Sequence, residues 1–71
     1  MMAVLLMDFD LEDLKGFREA LEKVEELRAV VPVEIQHIGM AEDGKLKIVL
    51  RVPADSLKLA RSTFPDAVVI A

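Results

Sequence analysis

The sequence contains no cysteine, tryptophan, tyrosine or asparagine, and its only aromatic residues are three phenylalanines. Without cysteine, the chain has neither a disulfide framework nor a thiolate metal site to stabilise it. A domain of 71 residues buries only about 60% of the surface that its unfolded chain exposes. Oligomerisation is the common stabilising device that remains. The absence of Asn, with a single Gln, is a bias typical of thermophile proteins.

Basic charge is also scarce, since nine Lys and Arg residues stand against thirteen acids and give a net charge of −4. An excess of acid repels a phosphate backbone. The predicted order of elements is shared with RNA recognition motifs, which stack bases on aromatic side chains of their sheet. The matching outward positions here are Lys47, Val49 and Arg51. None of them is aromatic, so we expect no nucleic-acid partner.

The apolar start of the chain lacks the basic segment of a signal peptide and reaches Asp8 after seven residues. It is too short to span a membrane. We therefore interpret it as a strand of a cytoplasmic protein with no membrane partner.

Two segments, residues 3–7 and 67–71, are apolar throughout. A strand with one wet face should alternate apolar with polar residues, so these two segments predict strands that leave water on both faces. Two helices can cover only one face of a four-stranded sheet. The sequence therefore predicts that a second copy of the chain, or another protein, covers the other face.

Apolar residues recur at intervals of three and four along residues 10–29 and predict an amphipathic helix with Asp10 as its N-cap. The predicted buried stripe is Leu11, Leu14, Phe17, Leu21, Val24 and Leu27. Gly16 lies inside this helix, either for a close approach to the sheet or a partner, or as a tolerated defect. A second helix is predicted over residues 55–63, with Asp55 as its N-cap and Pro65 preventing its continuation.

Asp43 and Gly44 form a pair preferred in two-residue type I′ turns and predict a hairpin from strands 31–42 and 45–52. The resulting register pairs Gln36 with Arg51, Ile38 with Val49 and Met40 with Lys47. On the other face of the hairpin, which is predicted to lie under the helices, His37 pairs with Leu50.

The order strand–helix–strand–strand–helix–strand is ferredoxin-like. We predict one α+β domain over residues 1–71, with a four-stranded antiparallel sheet and two helices on one face. On the open side we predict an interface with an apolar centre and a polar rim, joined by alternate residues of the first and last strands. Its centre is Ile38, Met40 and Val49, and its rim is Gln36, Lys47 and Arg51.

No residue is predicted to be catalytic, to bind a cofactor or to ligate a metal. Acids at 8, 10, 12 and 13 follow a strand, as in some Mg²⁺ sites, but no Gly-Thr and no second acidic strand end accompany them. Helix capping accounts for them better. A lone His37 without a paired nucleophile is interpreted as a structural residue packed against Leu50 or the second helix, with a ligand contact or a pH-sensitive interface as the alternatives. Ser56, Ser62 and Thr63 are interpreted as helix-end hydroxyls. We therefore expect no enzyme.

The segment from 44 to 62 loosely resembles the small dimerisation subunit of the KEOPS tRNA-modification complex. The similar positions are Ala54, Asp55, Leu59, Arg61 and Ser62. Pro65 cuts short a helix that is long in that family. The order of elements also resembles that of ACT amino-acid-sensing modules, although residues 8–10 replace their glycine-bearing turn. These residues identify no family.

The leading expectation is a non-catalytic oligomerisation or protein-interaction module that self-associates through the open sheet face or an edge strand. The alternatives are a small-molecule-sensing regulatory domain with its ligand at a subunit interface, and a dimerisation subunit of the KEOPS type.

Overall fold

A computed structural model describes residues 1–70 as one antiparallel sheet with two helices. Its elements are β1 (Met2–Phe9), α1 (Leu14–Arg28), β2 (Glu34–Met40), β3 (Leu46–Pro53), a 3₁₀ turn (Ala54–Ser56), α2 (Leu57–Thr63) and β4 (Val68–Ile70). The strand order is β2-β3-β1-β4. This confirms the predicted α+β, ferredoxin-like fold. The predicted last strand included Ala71, which lies outside the described residues.

The two central strands, β1 and β3, bury alternate side chains against the helices. Leu5, Ile48, Leu50 and Val52 are fully buried. The helices supply Ala20, Val24, Leu27 and Ala60 to the other layer of the core, and Phe64, just after α2, completes it. Burial alternates along β1 although polarity does not as far as Met7, because Met2, Val4 and Leu6 on its other face are also apolar.

Helix α1 begins later than predicted. Its N-cap is Asp13, whose Oδ1 accepts a hydrogen bond of 3.0 Å from the backbone N–H of Gly16. Residues 10–13 form a turn closed by the Asp13 N–H and the Asp10 carbonyl at 2.9 Å. The predicted Asp10 cap is therefore wrong, and Leu11 and Leu14 are exposed rather than part of the buried stripe.

The second helix also starts differently from the prediction. Asp55 lies within the 3₁₀ turn, and the N-cap of α2 is Ser56, whose side chain makes no capping hydrogen bond. The end of the helix is as predicted, since Phe64 follows its last residue and Pro65 comes next.

The hairpin between β2 and β3 has a register one residue away from the predicted one. Met40 pairs with Leu46 and Ile38 with Ile48. The loop has three residues instead of two, because Ala41 donates its N–H to the Lys45 carbonyl at 2.9 Å. Gly44, with a φ of 82°, supplies the left-handed residue that closes such a loop.

This register moves two predicted interface residues to the other side of the sheet. Ile38 and Met40 lie on the helix side, beside Ile48 and Leu46, and not on the open side. The helices do not extend over this edge strand, so Ile38 is 41% exposed and Met40 is 60% exposed. The prediction that they form the centre of the open face is therefore wrong.

A bulge in β2 accounts for two further differences. Ile35 pairs with Leu50 and His37 pairs with Val49, so that Gln36 is an extra residue in the ladder. Gln36 consequently does not oppose Arg51, which pairs with Glu34 instead. His37 does not pair with Leu50 in the core but is exposed.

Candidate interaction surface on the open sheet face

One face of the sheet is not covered by either helix, and we call it the open face. Directly paired residues of neighbouring strands share a face, so the register assigns its members. They are Met2, Val4, Leu6 and Asp8 of β1, Lys47, Val49, Arg51 and Pro53 of β3, Glu34, His37 and Gly39 of β2, and Val68 and Ile70 of β4.

The middle of the open face is an aliphatic patch of five side chains: Val4, Leu6, Val49, Val68 and Ile70. Leu6 pairs with Val49 on one side and with Val68 on the other, and Val4 pairs with Ile70. Val68 is 59% exposed and Ile70 is 49% exposed. Contiguous exposed apolar side chains with a polar border are characteristic of interaction surfaces.

An ion triplet borders the patch at one end. The Lys47 ammonium lies 3.1 Å from the Asp8 carboxylate and 3.1 Å from that of Asp43. The pKa of Asp43 is lowered, first by the hydrogen bond that its Oδ1 accepts from the Lys45 N–H and then by Lys47. The pKa of Lys47 is raised by the hydrogen bonds to Asp43 and Asp8. Asp43 and Lys47 therefore carry opposite charges over a wider pH range than two isolated side chains would.

Arg51 and Glu34 lie beside Val4 in the same row of paired residues, with their charged atoms 3.8 Å apart, and the apolar Met2 and Pro53 lie beyond this row. The polar residues of the face thus border the aliphatic patch at its Lys47 end and along its β2 side, where Glu34 and His37 lie. This arrangement agrees with the rim expected for Lys47 and Arg51 and with the place expected for Val49 in the centre.

Sequence reasoning missed the identity of most of the patch. It predicted only that alternate residues of the first and last strands would join the face, without naming Val4, Leu6, Val68 or Ile70. The sequence did indicate these residues, since both segments lack polar side chains. The apolar side chains of β1 that do not enter the core must face outward.

The two edges of the sheet are poor surfaces for adding another strand. Strand β2 is interrupted by its bulge at Gln36, and bulges disturb the ladder that a new strand would need. Within the described part of the chain, strand β4 comprises three residues, Val68–Ile70.

A cavity of about 330 Å³ has Asp8, at one end of the open face, among its lining residues. It is bounded by the end of β1, one side of α1 and the turn between α2 and β4. Its charged lining residues are Asp8, Asp13, Glu19, Lys23 and Asp66. This volume is near the lower limit for small-molecule sites.

The described residues offer little for metal or nucleophilic chemistry. Across residues 1–70, no three His, Cys, Asp or Glu side chains are placed to hold a metal ion. The Thr63 hydroxyl donates to the Leu59 carbonyl at 3.0 Å, within its own helix. His37 Nε2 lies 3.3 Å from the Gly39 carbonyl oxygen.

No family model, curated protein or solved structure matches this chain. The resemblances to the KEOPS subunit and to ACT modules therefore stay predictions. Neither helix within residues 1–70 has the length and apolar character needed to cross a bilayer.

Proposed function

We propose that this chain is a non-catalytic self-association module of the cytoplasm, whose partner is a second copy packed open face against open face. The observation that carries the proposal is the aliphatic patch. It is continuous across three strands, and no polar side chain interrupts it.

The charges of the open face favour a second copy over a partner of strong opposite charge. Lys47 is paired with two carboxylates, and Arg51 is paired with Glu34. The face therefore lacks a field of one sign that would select an acidic or basic partner. A flat apolar face is complementary to itself, as a two-fold symmetric interface requires.

The size of the face predicts a dimer of modest affinity. The four strands have 8, 7, 8 and 3 residues, and at about 3.3 Å per residue and about 4.8 Å between strands they present a face of roughly 400 Å². Two such faces bury roughly 800 Å² in total, which is at the low end of interface sizes and typical of weak association. Nearly the whole face must be covered, so we expect the dimer to dissociate on dilution.

The open face is a better candidate for association than the edges. Pairing through β2 would have to accommodate the bulge at Gln36, and pairing through β4 would use three residues. Face-to-face packing also removes the aliphatic patch from water, whereas edge pairing would leave it exposed. Burial of apolar surface contributes about 25 cal/mol per Å².

The test is light scattering over a dilution series, comparing the wild-type chain with Val49→Glu. We expect the wild type to reach the mass of a dimer and the variant to remain a monomer with a native circular dichroism spectrum. The monomer tolerates this carboxylate because Lys47 and Arg51 flank position 49 on the same face of β3. In the dimer, the partner's aliphatic patch would cover this carboxylate and remove it from water, which is strongly unfavourable.

Val30→Glu is the matched control, since Val30 is 73% exposed and follows α1, away from the sheet. It should dimerise as the wild type does. A wild-type monomer at every concentration would refute self-association, and a dimeric Val49→Glu would refute the open face as its site.

The cavity beside α1 supports a second candidate function, the sensing of a small polar molecule. Binding to the native state would raise the melting temperature by mass action. A panel of amino acids, each added to the wild-type chain, tests this function. A rise in melting temperature that disappears when the cavity residue Glu19 is changed to Lys would support the sensing function. No rise with any amino acid at millimolar concentration would argue against it.

A further inference from the structure

The register of the sheet distinguishes between two possible arrangements of the proposed dimer, and this step rests on the proposed function. Two identical faces that pack on each other are related by a two-fold axis lying in the plane between them. The axis runs either across the strands or along them. In both cases the two faces overlap most when the axis passes through the centre of the sheet. An axis along the strands then runs between β3 and β1.

An axis across the strands places each strand over the same strand of the partner, in the opposite direction. We call the residues that are paired across neighbouring strands a row. The middle of β1 and β3 lies between the row of Val49 and the row of Arg51, so an axis there places the row of Lys47 and Asp8 over the partner's row of Pro53 and Met2. Lys47 and Asp8 would then be covered by apolar side chains and would lose water without gaining a partner of opposite charge.

An axis along the strands exchanges β3 and β1 across the interface. Lys47 then lies over the partner's Asp8, and Asp8 lies over the partner's Lys47. Because these two residues are already paired within one sheet at 3.1 Å, the four charges alternate in sign. In the next row, Val49 lies over the partner's Leu6, so apolar side chains meet apolar side chains.

The same axis gives Arg51 an apolar neighbour. It lies over the partner's Val4, which the aliphatic stem of Arg51 can cover while its guanidinium keeps its pairing with Glu34. No cation of the open face is then placed over another cation.

The geometry points to a dimer with its two-fold axis parallel to the strands, between β1 and β3, in which Lys47 and Asp8 of each copy pair with Asp8 and Lys47 of the other. Packed sheets differ in strand direction by about 30°. One row, about 7 Å, from the crossing point, this rotation displaces a residue sideways by about 4 Å, which is less than one strand spacing. A lysine side chain spans that displacement.

Cross-linking distinguishes the two axes because the chain has no cysteine of its own. The proposed axis places β4 over the partner's β2, so Val68 lies over the partner's His37, about 10 Å away. Two copies of Val68 would be about 17 Å apart, because three strand spacings separate them sideways. The axis across the strands would instead place Val68 over the partner's Ile70, with the two copies of Val68 about 12 Å apart.

The experiment uses V68C and H37C, separately and mixed, with a short bismaleimide linker and mass spectrometry of the products. We expect the mixed sample to give the V68C–H37C conjugate, and each variant alone to give no more conjugate than S62C. Ser62 is exposed on α2, so S62C reports chance collisions.

Each other result has a definite meaning. Efficient conjugation of V68C to itself would overturn the proposed axis while leaving the open face as the interface. A wild-type dimer whose variants all match S62C would overturn both the axis and the open face. A wild-type monomer in light scattering would overturn self-association itself.

Discussion

At the start of α1, the side chain of Asp13 occupies the space that a side chain at position 16 would need. A Cβ added to Gly16 would lie 2.8 Å from the Asp13 Cγ, well inside ordinary contact distance. Gly16 is thus accounted for by the capping carboxylate of its own helix, and not by a close approach to the sheet or to a partner. This local explanation could not be reached from the sequence while Asp10 was taken as the cap.

The residue-scale prediction is a coupling between these two positions. Gly→Ala inside a helix normally stabilises by about 1 kcal/mol, and loss of an N-cap costs about 1 kcal/mol. In the wild-type background Gly16→Ala displaces the cap, so we expect a change close to zero. In the Asp13→Ala background the same substitution should raise the free energy of unfolding by about 1 kcal/mol.

Urea denaturation of the four chains at one protein concentration measures this coupling. Equal stabilisation by Gly16→Ala in both backgrounds would show that the capping bond does not restrict position 16.

At the scale of elements, the hairpin shows how a correct strand assignment can carry a wrong register. Asp43-Gly44 is compatible with a two-residue loop and with the observed three-residue loop. The apolar positions of β2 did not decide between them, because Ile35 and Ile38 are three apart and share a face only when an extra residue intervenes. A strict period of two cannot represent that bulge.

The error had a limited effect on the candidate site. Strand β3 alternates apolar and polar residues more regularly, so the outward positions of Lys47, Val49 and Arg51 were predicted correctly from the sequence. In β2, the difference of one residue in register places Ile38 and Met40 on the helix side of the sheet instead of on the open face. Their exposure on the helix side follows from the position of β2 at the edge of the sheet.

The hairpin also provides a pH-dependent prediction. The pKa of Asp43 in the folded chain lies below its ordinary value of 3.8, because of the Lys45 N–H and then Lys47. The charge of Asp43 therefore stabilises the folded chain above about pH 4, and this stabilisation is lost as the pH falls through the lower folded-state pKa. Asp43→Asn keeps a side-chain oxygen for the Lys45 N–H but cannot ionise, so this contribution should be absent from it.

The measurement is the difference in the free energy of unfolding between the wild type and Asp43→Asn from pH 7 down to pH 2. The other carboxyl groups titrate in both chains and cancel in the difference. We expect the wild type to be the more stable at pH 7 and the difference to shrink below pH 4. A difference that does not vary with pH would contradict the assigned role of the Asp43 charge.

For the whole molecule, the order of elements was sufficient to predict the fold because the helix and strand periodicities alternate without ambiguity along the chain. The uncovered face was equally predictable, since β1 contains too many aliphatic residues for one core. The composition of the open face was less predictable, because it depends on which residues lie opposite each other across three strand pairs. Turn geometry and bulges set that register, and hydrophobicity alone does not.

The last prediction concerns the stability of the molecule as a whole. If native chains dimerise and unfolded chains do not, the melting temperature rises with protein concentration. A tenfold increase in protein concentration raises the free energy of unfolding by about 0.7 kcal/mol per chain, which is half of the 1.4 kcal/mol that applies to each dimer. With an unfolding entropy of about 2.1 cal/mol/K per residue, the 71 residues should give a rise of about 5 °C for each tenfold step while the dimer predominates.

Calorimetry at several concentrations measures this rise directly. Val30→Glu should follow the wild-type slope, and Val49→Glu should melt at a temperature independent of concentration. A wild-type melting temperature that stays constant over a hundredfold range would mean that folding and association are not linked. The aliphatic patch would then be exposed in the stable form of the chain, contrary to the proposed function.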